Sequence, residues 1–170
     1  MSFFFFLGFW QSFKSLKFIN LNKSLRLIET PDISKVPALE QLDLEDCTNL
    51  CIVHPSIGFL ESLIILNLKG FKNLINLPEN FAMKSLDILT FSGCSKLWRI
   101  PKFGENMERV SELYLDGSDI TNLPTSIGNL TGLASLSVRD CKNLMSLPHT
   151  FFNIKSLENL DLSGCTELKE

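Results

Sequence analysis

The sequence is poor in the features that mark nucleic-acid-binding and membrane proteins. Its 170 residues hold one tyrosine, two tryptophans and two histidines, and the formal net charge is −3 with no block of like charges. This charge disfavours nucleic-acid binding, which needs a basic surface for the phosphates. The apolar run over residues 1–10 is too short for a membrane span, which needs roughly 20 residues. We therefore expect no nucleic-acid partner and no membrane span.

Motifs of catalytic and metal chemistry are also missing. The sequence contains no GxSxG, no HExxH, no CxxC and no phosphate-binding glycine-rich loop. His54 and His149 each adjoin a proline in a predicted turn, and neither has the partner that a general base needs. The five cysteines are odd in number, which disfavours a disulfide framework. We expect no enzyme activity, no cofactor and no metal site.

What the sequence does contain is a repeat. The stretch LASLSVRDCKNLMSLP at 133–148 follows the pattern LxxLxLxxCxxLxxLP, which recurs along almost the whole chain. The lead residues fall at 16, 39, 63, 86, 110, 133 and 157, so the period alternates between 23 and 24 residues. This period and leucine frame are typical of leucine-rich repeats. They predict an α/β solenoid of about seven repeats, a horseshoe with a parallel β-sheet on its concave face and short helical or 3₁₀ coils on its convex face.

Six positions per repeat are predicted to point into the core of the solenoid. In the second repeat the inward set is Leu39, Leu42, Leu44, Cys47, Leu50 and Val53. Cysteine recurs at the position of Cys47, at residues 94, 141 and 165, and is expected there as a small, reduced, buried side chain. Phe71 takes this place in the third repeat, and the fifth repeat has a shorter turn between Ser118 and Ile120.

The convex side is predicted from segments that begin with proline, at 55–63, 124–133 and 148–157. Proline starts a turn and donates no backbone hydrogen bond. Apolar residues follow about three positions apart, as in Ile57 and Leu60. That spacing favours a short 3₁₀ or helical turn laid against the strands.

The outward residues of the strands form the candidate binding site, because solenoid curvature creates a broad concave surface and side chains alternate along a strand. One column of this surface alternates in charge. Ion pairs between neighbouring coils would explain this alternation without any role in partner binding. Ile65, Ile88 and Tyr114 form an apolar and aromatic cluster of the kind that anchors protein interfaces. The candidate protein-binding residues are Gln41, Asp43, Glu45, Ile65, Asn67, Lys69, Ile88, Thr90, Ser92, Glu112, Tyr114, Asp116, Ser135, Ser137, Arg139, Asn159 and Asp161.

Residues 14–170 resemble the leucine-rich-repeat region of plant TIR-NBS-LRR disease resistance proteins. The resemblance rests on the cysteine after the strand and on the short DGSDI turn. It is carried by LKFINLNKS at 16–24, ETPDISKVPALEQLDLEDCTNL at 29–50, VHPSIGFLESLIILNLKGFKNLINLPE at 53–79, the region 91–133 and LDLSGCTELKE at 160–170. The family resemblance implies a cytoplasmic or nucleo-cytoplasmic module of innate immunity and signal transduction. Its implied partners are a pathogen effector, a guarded host protein, or the NB-ARC and TIR domains of a parent receptor.

The chain departs from that family in several places. It has no P-loop and no TIR sequence, so neither nucleotide binding nor NAD cleavage is expected of it. Phe71 replaces a cysteine, and the FFFF run near the start is foreign to the repeat. We expect an apolar N-terminal extension at 1–13 and a repeat domain at 14–170 that is truncated at both ends. The alternatives are a secreted or receptor-like repeat domain, or a non-signalling remnant or decoy.

Overall fold

A computed structural model describes residues 13–75 and 77–169 of the chain. In this part the chain forms nine short strands and three 3₁₀ helices. The strands are β1 (Phe18–Asn20), β2 (Gln41–Asp43), β3 (Ile65–Asn67), β4 (Asn80–Phe81), β5 (Ile88–Thr90), β6 (Lys102–Phe103), β7 (Glu112–Tyr114), β8 (Ser135–Ser137) and β9 (Asn159–Asp161). The 3₁₀ helices are Pro55–Phe59, Thr125–Asn129 and His149–Asn153. The predicted extension at 1–13 lies, except for Phe13, outside the described residues.

Seven strands form one parallel sheet in the order β1-β2-β3-β5-β7-β8-β9. Equivalent residues of neighbouring repeats pair directly, as Leu42 pairs with Leu66 and Leu66 with Leu89. The central residue of each strand from β1 to β8 in this sheet is buried, while the two flanking residues point outward. A slip of one residue would turn the leucines to solvent, so the pattern fixes the register. The predicted parallel solenoid is confirmed.

The opposite side of the coils contains the predicted 3₁₀ helices. Pro55 begins the first helix, and Pro124 and Pro148 directly precede the other two. Ile57, Ile127 and Phe151 point inward and are buried, which confirms the apolar spacing. Two other coils, in which Pro78 and Pro101 hold the place of this proline, instead pair β4 with β6 in a small parallel sheet, an element that the sequence pattern did not predict.

One residue per coil adopts a positive φ directly before the cysteine position. Glycine occupies it at 70, 93, 117 and 164, and Lys23, Asp46 and Asp140 occupy it in the other coils. These seven positions repeat with the period of the sequence. The left-handed conformation reverses the chain where it leaves the sheet, and glycine adopts it without steric cost.

The cysteines link adjacent coils without disulfides. The thiols of Cys47, Cys94 and Cys141 are free and buried and donate to carbonyls of the preceding coil at 3.0, 3.2 and 3.2 Å. Burial raises the pKa of Cys94 to about 12, which keeps the thiol protonated as a donor. Ser118 occupies the same position in the shorter fifth repeat and lies 3.3 Å from the Cys141 sulfur. The prediction of reduced, inward-facing thiols is confirmed at these positions.

Phenylalanine fills the widest part of the core. Phe71, Phe81 and Phe91 are fully buried. The rings of Phe81 and Phe91 stack with centroids 6.4 Å apart. Phe81 reaches this core from the small sheet opposite the main one, so these rings connect the two sides of the solenoid.

Candidate protein-binding face

The outward side of the seven-stranded sheet, called the sheet face below, contains all seventeen predicted binding residues, each partly or fully exposed. In-register pairing arranges them in columns that run across the strands. The first column of the strands contains Phe18, Gln41, Ile65, Ile88, Glu112, Ser135 and Asn159. The third contains Asn20, Asp43, Asn67, Thr90, Tyr114, Ser137 and Asp161.

Most third-column side chains stabilise the turn that follows their own strand. Asp43 accepts a hydrogen bond from the Glu45 N–H at 3.2 Å, and Asn67 accepts one from the Lys69 N–H at 3.1 Å. Thr90 and Asp161 accept in the same way from the N–H two residues later, at 3.3 and 2.9 Å. Such a local acceptor satisfies a backbone donor that the strand has released. These predicted site residues therefore carry a structural role.

Tyr114 and Ser137 are the exceptions in the third column, because no described hydrogen bond joins either side chain to the N–H two residues later. The Tyr114 hydroxyl instead donates to the Glu112 carboxylate at 2.8 Å. This hydrogen bond is the main reason that the pKa of Tyr114 is raised, because the carboxylate favours the neutral phenol. In this coil Asp116 connects to the next one, accepting from the Arg139 N–H at 3.0 Å and from the Ser137 hydroxyl.

The expected charge pairing occurs at one place in the column that follows the strands. Lys69 contacts Glu45 at 3.0 Å, and this hydrogen bond lowers the pKa of Glu45 and raises that of Lys69. Arg139 makes no ion pair within the described part of the chain. The exposed guanidinium of Arg139 can pair with a partner protein, whereas the ammonium of Lys69 is already paired with Glu45.

The predicted apolar cluster is only partly assembled. Ile65 and Ile88 are direct neighbours in the first column. Tyr114 lies in the third column beside Thr90, and Glu112 takes the place next to Ile88. Phe18, half-exposed at 50 %, lies in the same column and was missed, although the weaker repeat that begins at Leu16 places it there.

A Ser, His and Asp occur together near the first 3₁₀ helix, but they cannot act as a nucleophile triad. His54 Nδ1 lies 2.9 Å from the Ser56 hydroxyl and 3.9 Å from Asp32. Both contacts involve the same ring nitrogen, whereas a proton relay needs the nucleophile and the carboxylate on opposite nitrogens. The Ser56 hydroxyl also accepts from the Ile33 N–H at 3.1 Å. The cluster therefore fixes the start of the helix to the preceding coil.

Comparison with known proteins places this arrangement in a family. Residues 81–170 match the family model described as "Disease resistance protein RPS4B-like, leucine-rich repeats". The chain belongs to this family of plant disease resistance repeats. In the part of the chain that the structure describes, no cluster of three or more His, Cys, Asp or Glu residues could hold a metal ion, and no helix could span a membrane. The leucine-rich repeat is a protein-interaction module, typically without catalytic activity.

The relatives of this family support the assignment along most of the chain. The chain is 40 % identical to the Arabidopsis thaliana protein SUPPRESSOR OF npr1-1, CONSTITUTIVE 1 over 92 % of its length, 36 % to TMV resistance protein N of Nicotiana glutinosa over 91 %, and 37 % to Disease resistance protein RPS4B of A. thaliana over 91 %. It spans 10, 14 and 11 % of these relatives, respectively. These homologues are immune receptors, and a protein-interaction role in plant defence fits the chain.

A solved structure agrees on the fold. The leucine-rich-repeat domain of the type III effector XopL superimposes with a TM-score of 0.71 at 24 % identity, over 88 % of this chain and 53 % of that domain. At this identity the likeness concerns the fold alone, which confirms the leucine-rich-repeat solenoid.

Proposed function

We propose that the sheet face is the recognition surface of a plant innate immune receptor. It would bind a pathogen effector, a guarded host protein, or the NB-ARC or TIR domain of a parent receptor. The observation that carries this proposal is the first column, where Ile65 and Ile88 lie side by side and are only partly buried. Apolar side chains at the centre of a polar surface are typical of interface anchors.

The charge of the sheet face supports the same proposal and indicates which kind of partner surface would fit it. Among the seventeen face residues five are acidic, namely Asp43, Glu45, Glu112, Asp116 and Asp161, while Lys69 and Arg139 are basic. Lys69 is already paired with Glu45. The face therefore has an acidic excess around its apolar centre. A partner that offers a basic rim around an apolar patch is complementary to it.

The test measures whether substitutions on the sheet face abolish the binding of a partner protein. Wild-type chain and the Ile65→Ser/Ile88→Ser variant would be tagged, expressed in leaves of a plant challenged with pathogens, and purified with their bound proteins for quantitative mass spectrometry. We expect one or more proteins to bind the wild type and to be lost at least tenfold from the variant. Arg139→Glu should reduce the same proteins, because its exposed guanidinium makes no ion pair within the described chain and has only a longer-range attraction to Asp161.

The matched control is Phe152→Ser, which removes an equally apolar side chain that is 67 % exposed on the opposite side. It should leave the bound proteins unchanged. Identical bound proteins for the wild type and the double variant, with both folded by circular dichroism, would contradict the proposal. Glu45 and Asp116 are unsuitable for this test because both are engaged within the chain.

We propose a cytoplasmic location for the chain, against the secreted alternative. The five free cysteines support it, since thiols stay reduced in the cytosol. The sequence contains two glycosylation sequons, NKS at 22–24 and NLT at 129–131. Both asparagine amides are used internally, as Asn22 donates to Asp43 at 3.2 Å and Asn129 to the Phe103 carbonyl at 2.8 Å. Glycosidase treatment of chain purified from plant tissue should cause no mass shift. A shift at either asparagine would favour the secreted alternative.

A further inference from the structure

A second exposed surface runs along the side of the coils, after the chain has left the sheet. It consists of the residue that directly follows an inward leucine or isoleucine in successive coils. Ile28, Ile75, Trp98 and Met145 are exposed by 52, 50, 47 and 51 %, although all four are large and apolar. We call this surface the flank row: Ile28, Cys51, Ile75, Trp98, Thr121 and Met145.

Backbone hydrogen bonds join the first two and the last three members of the flank row. The N–H of Cys51 donates to the Ile28 carbonyl at 2.9 Å, and the N–H of Met145 donates to the Thr121 carbonyl at 3.0 Å. Thr121 in turn donates to the Trp98 carbonyl at 3.2 Å. Neighbouring strand-like segments lie about 4.8 Å apart, so the row is about 24 Å long and one side chain wide. An extended segment of about seven residues has this length, at about 3.3 Å per residue.

Cations flank the central part of the row. Lys72, Lys96 and Lys142 precede it in their coils and Arg99 follows Trp98. None of the four makes an ion pair within the described residues, although the Lys96 ammonium donates to the Asn73 side chain at 3.0 Å. The carboxylates of the same stretch are fewer, and Asp119 is engaged because it accepts from the Asn143 amide at 2.5 Å.

Trp98 and Arg99 provide the strongest anchor. The Arg99 guanidinium lies 4.8 Å from the Trp98 ring centroid, within the range of a cation–π contact. This contact holds a cation beside the exposed indole. Tryptophan and arginine are the residue types most often found at binding hot spots.

We infer that the flank row is a docking site for an extended segment of a partner protein that carries both apolar and acidic side chains. The apolar side chains would cover Ile75, Trp98 and Met145, and the carboxylates would pair with the cations beside them. The charge around the flank row is positive, whereas the sheet face has an acidic excess. The two surfaces therefore bind partners of different charge, and the flank row does not depend on the use of the sheet face.

The experiment selects ligands without assuming their sequence. A library of random twelve-residue peptides displayed on phage would be panned on the immobilised full chain, after depletion on the Ile75→Ser/Trp98→Ala/Met145→Ser variant. We expect enriched peptides that combine Asp or Glu with Leu, Phe or Trp. A synthetic copy should bind the Trp98→Ala chain at least tenfold more weakly than the wild type. Binding should weaken in high salt, and Lys96→Ala/Arg99→Ala should reduce that salt dependence.

The control variant Phe59→Ser/Phe152→Ser removes comparable apolar surface, 57 and 67 % exposed, from another side of the coils, and should bind the peptide like the wild type. Lack of acidic enrichment, or equal affinity for the wild-type and Trp98→Ala chains, would overturn the inference. So would Trp98-dependent sedimentation with anionic lipid vesicles in place of peptide binding. Self-association that the triple variant abolishes would assign the row to a second copy and overturn the inference too. Unchanged circular dichroism and melting would establish that the variants are folded.

Discussion

At the residue scale, the turn after each strand depends on one backbone conformation. Gly117 adopts a φ of 64°, and nothing lies within 4 Å of where its Cβ would be. Asp140 occupies the equivalent position one coil later with a φ of 58°. A left-handed conformation costs a residue with a Cβ about 1–2 kcal/mol, although aspartate tolerates it better than most. The solenoid accepts this cost in three of its coils.

We expect Gly117→Ala to reduce the free energy of unfolding by about 1 kcal/mol, because the open space leaves backbone strain as the only penalty. Asp140→Gly should increase it by a few tenths, since relief of strain is offset by the larger entropy of glycine in the unfolded chain. Urea denaturation would measure both. Ser95→Ala, an exposed neighbour in the adjacent coil, serves as the control. A Gly117→Ala chain as stable as the wild type would contradict this account.

At the element scale, neighbouring coils come close together at glycines on the side opposite the sheet. Gly58 in the first 3₁₀ helix accepts from the Ala82 N–H at 2.7 Å. A Cβ on Gly58 would lie 2.7 Å from the Asn80 carbonyl oxygen. At the equivalent Gly128 of the second helix, the nearest atom is the Thr150 carbonyl oxygen at 3.0 Å. The small sheet β4-β6 thus packs on its neighbouring helix more tightly than one helix packs on the next.

Gly58→Ala should therefore destabilise the chain more than Gly128→Ala does. Backbone atoms must move apart at Gly58, and overpacking of this kind costs about 1–3 kcal/mol. At Gly128 a shift of a few tenths of an ångström suffices. The measurement is the urea midpoint of the two single variants against the wild type. Equal midpoints would show that helix and small sheet have room to separate.

The elements differ in how far the sequence predicts them. The inward leucines and the proline-led 3₁₀ helices follow from a strict period, so their burial was predictable. The strands β4 and β6 were not, because Pro78 and Pro101 precede them just as proline precedes the helices, so the proline does not distinguish the two structures, and the pairing of each strand depends on the coil beside it. The flank row was missed because the repeat pattern defines the inward leucine and treats the residue after it as variable. The sequence does not show which columns of the sheet face stabilise turns, because that role depends on hydrogen bonds that only the structure reveals.

At the scale of the whole molecule, carboxylates in several coils accept hydrogen bonds that exist only in the folded chain. Hydrogen bonds lower the pKa of Glu45 and Glu61 from 4.5, chiefly those from Lys69 and Lys84. A backbone hydrogen bond from Ser34 lowers that of Asp32 and a side-chain bond from Ser163 that of Asp161, both from 3.8. The unfolded chain therefore binds more protons than the folded chain in mildly acidic solution.

Stability should fall with acid as a consequence. The stabilisation is present above the ordinary pKa values and is lost as the pH drops through the lowered ones. These groups are mostly exposed, so screening by solvent keeps the contribution of each one small. Thermal melting measured as the pH is lowered through the ordinary pKa values of these carboxyls should show a falling melting temperature. Glu45→Gln should make the fall in melting temperature with pH shallower. Glu105→Gln, a carboxylate without an ion pair in the described part of the chain, should not. A melting temperature independent of pH would contradict the prediction.

Each pairing in the seven-stranded sheet joins residues 23 or 24 apart in equivalent places, from Phe18 with Gln41 to Ser135 with Asn159. Every coil therefore presents nearly the same donors and acceptors to the next one. A gene that encodes such an array gains or loses 23 or 24 codons at a time and leaves the remaining strands matched. Unequal exchange between neighbouring coils changes the length of the array and the order of its outward side chains, while the core stays closed. The same uniformity that holds the coils together makes their surfaces easy for evolution to rearrange.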